Sequence, residues 1–386
     1  MKLKVFILFF IGFIFAENSA PIILLHGFLG WGRDEMKDYY YWGGKFDLEM
    51  WLIEEGYEVY TVSVGPVSSN WDRAVEAYYQ IKGGQVDYGK SHSEEFGLIQ
   101  KPTGKSYDGF YPQWNANNPI HIISHSQGGQ TARMLEYLLN LNSKEDSNLL
   151  SQNKKSWIKS ITTISTPHNG TTLSNIVMDS FPITIKLGVW FGAIYEDGFF
   201  ESFYNLDLDQ WGLKRNKNEK MMDFIRRVNN SPAVNSKNLS QYDLSINGSY
   251  EFNEIYTIDS NVHYFTYSTY STKAVGEKGK HFPDWSMSAE LWLGGTLLGT
   301  FSAPDSSWYE NDGIVNTISM KGPKRKSGED DSVCDYNGIS KTGCWQNMGK
   351  LHIDHHKVVG HGLKSNEIGL IKDLYGNHCQ LLMELN

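Results

Sequence analysis

The chain has 386 residues, 40% of them hydrophobic and 14% aromatic, with 35 Lys+Arg against 44 Asp+Glu. That length and composition suit one large α/β domain or two smaller ones and exclude a disordered chain. A formal charge of -9 argues against nucleic acid as a partner.

The first residues, MKLKVFILFFIGFIFAEN, combine a basic start, an apolar run of eleven residues from Val5 to Phe15, and then Ala16. This is the layout of a secretory signal peptide cleaved after Ala16, and the run is short for a bilayer span. The expectation is residues 1–16 as signal, 17–386 as a single secreted domain, and no protein partner.

Ile22–Leu25 reads as a buried strand running into the loop His26-Gly27-Phe28. Strands are also expected over 57–64, 120–124, 158–166 and 263–269, with a helix over QGGQTARMLEYLLN between the third and fourth. Strands alternating with helical stretches predict a mostly parallel central sheet flanked by helices. Residues from about 175 to 225 are rich in Phe, Trp, Tyr, Ile and Leu broken by glycines. They are either more core or a lid whose apolar face covers a site and opens onto lipid. The charged stretch KGPKRKSGEDD (321–331) is expected to be a solvated loop. Asn169, Asn229, Asn238 and Asn247 match glycosylation acceptors.

The third strand ends in Ser124-His125-Ser126-Gln127-Gly128-Gly129. A serine on a sharp strand-to-helix turn needs small residues two positions to either side, which Ser124 and Gly128 supply. Serine also favours helix N-caps, but a cap does not require the two glycines. Ser126 is therefore the expected nucleophile. An oxyanion formed there needs two backbone N–H donors. Gln127, at the helix N-terminus, offers one and Phe28, after the first strand, the other, while His26 reads as a prop for that loop. An acid and a base must follow in that order. Asp312 in WYENDGIVN is the acid; KLHIDHHKVVG offers His355 and His356, between which spacing does not choose. Cys334 and Cys344 flank a turn-rich stretch and either close a local disulfide, leaving Cys379 free, or stay reduced.

Ordered motifs extend well beyond this turn: PIILLHGFLGWGRDEM, YWGG, GPVSSNWDRAVEAYYQ, GGQVDYGKSH, IHIISHSQGGQTARML, TTISTPHNGTTL, LDQWGL, YDLS, ENDGIVNTISM and NMGKLHIDHHKVVG. In these the chain resembles the large secreted bacterial triacylglycerol lipases of the staphylococcal and thermophilic-bacillus type. The resemblance implies an α/β-hydrolase fold with a helical lid and a small extra, zinc-type subdomain. It places the triad on Ser126, Asp312 and His355 and the oxyanion donors on Phe28 and Gln127. It also implies zinc held by two aspartates and two histidines. Asp72, His92 and Asp243 match three of these, while the fourth position falls near Leu98, which cannot bind metal; a site with three protein ligands is weaker unless Glu94 or Glu95 moves in. The family's calcium site has a glutamate where Lys357 stands, so that site is expected to be absent or rearranged. The implied activity is hydrolysis of acylglycerol esters at a lipid–water interface. The alternatives are a phospholipase or broad carboxylesterase on the same scaffold, or a non-catalytic lipid-binding protein.

Overall fold

A computed structural model describes residues 19–142, 154–174, 206–216, 218–277, 279–301, 304–327 and 333–385. The expected leader (1–16) and most of the aromatic segment (175–205) lie outside these.

Seven strands make the central sheet: β1 (Ile22–Leu25), β2 (Val59–Val62), β5 (Ile120–His125), β6 (Ile158–Ile164), β7 (His263–Tyr270), β10 (Val333–Asp335) and β11 (Trp345–His352). Their order is β10-β11-β7-β6-β5-β1-β2, and every pairing is parallel. A parallel sheet buries both faces, so its central strands are buried almost throughout rather than on alternate residues. β1 shows this, with all four residues at most 1% exposed. Ile22 and Leu24 join Ile123, Ile164 and Phe265 in one core; Ile23 and Leu25 join Ile122, Ile161 and Tyr264 in the other. Burying each such aliphatic chain contributes about 1.5–3 kcal/mol.

Helices α1 (Leu48–Glu54), α2 (Asn70–Lys82), α3 (Lys90–Phe96) and α4 (Gln127–Asn140) precede β6. The later ones are α5 (Met221–Asn229), α6 (Ser240–Asp243), α7 (Ile246–Ile255), α8 (Trp292–Thr300) and α9 (Ile368–Met383). α9 packs on the first core through Ile371, Tyr375 and Cys379, while α2 and α4 cover the second. This is the α/β-hydrolase arrangement. The small pair β3 (Gly84–Gln85) and β4 (Ser106–Tyr107), with α3, is inserted between α2 and β5. A second hairpin, β8 (Thr272–Val275) and β9 (Lys280–Pro283), follows β7 directly.

All five expected strands are present, as is α4. The edge strand β10 and its neighbour β11 carried no apolar run: only Trp345 and Gln346 of β11 are buried, and its register shifts between Asn347 and Lys350. In the stretch expected to be a solvated loop, Gly322 and Pro323 are instead buried, with Gly322 O accepting from Asn169 Nδ2 at 2.9 Å. The segment around 206–225 contributes Leu206, Leu208 and Phe224 to the first core. Cys334 and Cys344 are disulfide-bonded beside the β10–β11 edge. Cys379 is buried, and burial pushes its thiol up to about 12.

Candidate active site

β5 ends at His125, α4 begins at Gln127, and Ser126 between them sits at φ 55°, ψ -129°. Positive φ costs a non-glycine residue about 1–2 kcal/mol, so the surroundings must hold it. Ser126 N donates to Ile164 O at 2.9 Å, and Ser126 O accepts from Gly129 N at 3.1 Å. A Cβ on Gly128 would lie 2.3 Å from Leu25 O and one on Gly27 2.6 Å from Ser126 Cβ, so both must be glycine. Ser124 stands where glycine is commonest in such turns. It fits because its hydroxyl donates to Thr162 O on the neighbouring strand at 2.7 Å. Ser126 does not cap α4 with its side chain.

Its hydroxyl instead faces His355 Nε2 at 3.0 Å, and His355 Nδ1 lies 2.7 Å from Asp312 Oδ2. A carboxylate only accepts, so Nδ1 carries the proton and Nε2 is left to accept from Ser126. Asp312 Oδ1 accepts from Ile314 N and Val315 N, and Oδ2 also accepts from Thr269 Oγ1 at 2.7 Å. His355 N donates to Asp312 O at 3.1 Å, tying the two loops by backbone as well. Asp312, His355 and Ser126 are 0%, 3% and 6% exposed. The structure thus brings together the three residues read from the sequence, and it is His355 rather than His356 that meets both partners. Burial, then His355 and His361, holds the His356 imidazole well below its ordinary pKa.

Phe28 lines the small pocket beside Ser126, His125 and His355, and Gln127 follows Ser126 at the first position of α4. The Gln127 side chain turns away, donating from Nε2 to Asn70 Oδ1 at 3.2 Å. His26 props the loop as expected: Val64 N donates to its Nε2 at 3.1 Å, so its Nδ1–H donates to Gly27 O at 2.9 Å. Burial, aided by Arg73, lowers its pKa to about 3.

Two groups carried no sequence signal. Thr269 lies inside β7 as one of several buried hydroxyl residues, and its contact with Asp312 spans 43 positions. Tyr41 OH lies 2.6 Å from His125 Nδ1 and accepts from Gly27 N at 2.9 Å, tying the turn to the Phe28 loop.

The expected metal ligands do not assemble. His92 Nε2 is paired with Asp72 Oδ1 at 2.9 Å, and Asp72 Oδ2 accepts from Asn238 Nδ2 and Gln210 Nε2. Asp243 Oδ2 is turned to Asn70 N at 2.5 Å, and Glu94 is exposed beside Lys90. Among the described residues no three His, Cys, Asp or Glu side chains are placed to hold one ion. Zinc needs three or four converging donors, so the set does not fit it. Burial, with Asp72 nearby, pushes the Asp243 carboxyl up to about 7. Asn238, matched as a glycosylation acceptor, is buried in this network. At the calcium position the Lys357 ammonium donates to Ser286 O at 2.7 Å and lies 3.6 Å from Asp354 Oδ2. A fixed cation among those oxygens does not fit a calcium ion either.

Comparison with known proteins adds the following. A family model described as "Lipase-like, C-terminal domain" matches residues 18–367. A Staphylococcus epidermidis protein named lipase is 36% identical over 362 residues, covering 89% of this chain and 50% of that protein. The chain thus spans about half the length of that relative. Among solved structures, EstA from Clostridium botulinum is 39% identical with a TM-score of 0.86, covering 95% of this chain and 88% of that one. Lipase 1 from Pelosinus fermentans is also 39% identical, with a TM-score of 0.81, covering 96% and 100% respectively.

Proposed function

Because the chain belongs to the lipase-like C-terminal-domain family, we propose that it is a triacylglycerol lipase working through Ser126, His355 and Asp312. The observation that carries the proposal is the pair of contacts at 3.0 and 2.7 Å joining residues 229 and 43 positions apart. In it, His355 Nε2 takes the Ser126 proton as Oγ attacks the ester carbonyl, and Asp312 orients the imidazole and stabilises its cation. The N–H groups of Phe28 and Gln127 receive the oxyanion, the latter favoured by the positive end of α4. The tetrahedral intermediate collapses to an acyl-Ser126 with loss of the alcohol, which His355 protonates. Water deprotonated by His355 then releases the fatty acid. Neither zinc nor calcium enters these steps.

The leader pattern supports export, which places the enzyme where extracellular lipid is its substrate. Ser126→Ala is expected to reduce ester hydrolysis to background while the chain still folds; purified variant that retains turnover refutes the assignment. Rates on triacylglycerol emulsions, phospholipid vesicles and soluble short-chain esters separate lipase from phospholipase and esterase. A rise in rate above the substrate's solubility limit marks a lipase.

A further inference from the structure

β7 ends at Tyr270 on the sheet edge that also carries Ser126, at the end of β5, and the chain returns to that edge at Asp312. Ser271 N donates to Asn311 O at 2.9 Å, closing residues 271–311 into one insertion beside the candidate site.

This insertion concentrates exposed apolar surface. Of fourteen large hydrophobic side chains exposed among the described residues, six lie between Val275 and Phe301. They include Trp285 at 87%, Leu293 at 61% and Phe301 at 57%. From Leu291 to Pro304 there is no charged residue. Soluble proteins rarely leave such a patch without a use for it.

Glycines fix the orientation of α8. A Cβ on Gly294 would lie 2.4 Å from Gly313 O, and one on Gly299 would lie 2.0 Å from His281 O. The inner face therefore lies flush against the Asp312 loop and the hairpin, although glycine is a poor helix former. Leu293, Leu297 and Phe301, at steps of four, are left on the outer face, with Trp292 beside them. Among the described residues, the hairpin that flanks this face carries Lys273 and Lys280 against Glu277, in a chain of net charge -9.

We propose that residues 271–311 form a docking surface for an anionic lipid–water interface. The outer face of α8 and Trp285 enter the acyl layer, and the hairpin lysines meet anionic headgroups. An uncharged helix with exposed aromatic and aliphatic side chains, bordered by the lysines of the neighbouring hairpin, has the chemistry for this position. A lipid surface covers the patch and presents an ester to Ser126 in the same contact. The proposal rests on the lipase reading for its substrate, but binding is measured separately from turnover.

The test uses the full chain as Ser126→Ala, so that vesicles are not consumed, with and without Leu293→Asp/Phe301→Asp. On phosphatidylcholine vesicles containing phosphatidylglycerol, the double substitution is expected to weaken partitioning by about tenfold or more. Lys273→Glu/Lys280→Glu is expected to remove the preference for phosphatidylglycerol over pure phosphatidylcholine. Vesicles should blue-shift the fluorescence of Ser126→Ala, and Trp285→Phe should remove part of that shift, a readout independent of whether the aspartate variants fold. With Ser126 intact, Leu293→Asp/Phe301→Asp should hydrolyse a soluble butyrate ester at the parent rate. Unchanged vesicle partitioning in the folded double variant, or no blue shift, overturns the proposal. A concentration-dependent dimer that the double substitution dissociates also overturns it, assigning the face to a second copy. Failure of ester hydrolysis with vesicle binding intact counts against the lipase reading alone.

Discussion

Changing Asp312 to Asn tests the triad at its least visible joint. Asp312 Oδ1 accepts from two backbone donors, Ile314 N at 3.1 Å and Val315 N at 2.8 Å. An asparagine there must keep its carbonyl oxygen on those two N–H groups, because its amino group would otherwise oppose them donor to donor. Its NH2 then faces His355 Nδ1 and Thr269 Oγ1, where Asp312 Oδ2 now sits. The threonine can rotate its hydroxyl to accept. The imidazole accepts at Nδ1 only by moving its proton to Nε2, the atom that faces Ser126 Oγ at 3.0 Å. A protonated Nε2 cannot take the serine proton. In a Ser-His-Asp site this tautomer error costs on the order of 10⁴ in kcat, about 5.5 kcal/mol of barrier. The assay is hydrolysis of a soluble short-chain ester at neutral pH, with circular dichroism to show that the fold is kept. A loss below about tenfold would refute the geometric reasoning. So would a large loss accompanied by unfolding, since volume and backbone contacts are conserved.

Three further outcomes follow from the ammonium of Lys357 and from the buried imidazoles. Lys357→Met removes the ammonium from Ser286 O and Asp354 and is expected to cost about 1–2 kcal/mol, read as a lower melting temperature. EDTA should leave the melting temperature of the parent unchanged, because the cation at that position belongs to the chain; a drop on chelation contradicts this. Burial lowers the pKa of His26, His121 and His378 to about 3, that of His361 to about 4, and those of His125, His168 and His356 well below 6.5. The unfolded chain binds these protons below pH 6.5, whereas the folded chain does not until the pH is well below 6.5. Their contribution to stability is therefore complete above pH 6.5 and is lost as pH falls, by roughly 1.4 kcal/mol per pH unit for each histidine once well below 6.5. Denaturant midpoints should drop steeply between pH 6.5 and 5; a flat profile there would mean these imidazoles are not held neutral.

The parts of the site legible in the sequence are those governed by local sterics. Ser126 at φ 55° between two close-packed strands tolerates only small neighbours, so the turn announces itself in Ser124, Gly128 and Gly129. Strands buried on both faces are rich in aliphatic residues at consecutive as well as alternate positions, which is why Ile22–Leu25 and Ile120–His125 were readable and the half-exposed β11 was not. What remained open depended on contacts between distant segments. His355 and His356 are adjacent and both buried, and only the approach of the Asp312 loop to the end of β7 selects one of them. Thr269 looked like one more strand residue until that same approach set its hydroxyl on Asp312. Asp72, His92 and Asp243 matched a metal pattern along the chain, yet in space one pairs with another and the third turns to Asn70. Backbone strain and two-faced burial act over a few residues and leave their mark in composition. The convergence of side chains is set by sheet register and loop packing, which a linear pattern does not carry.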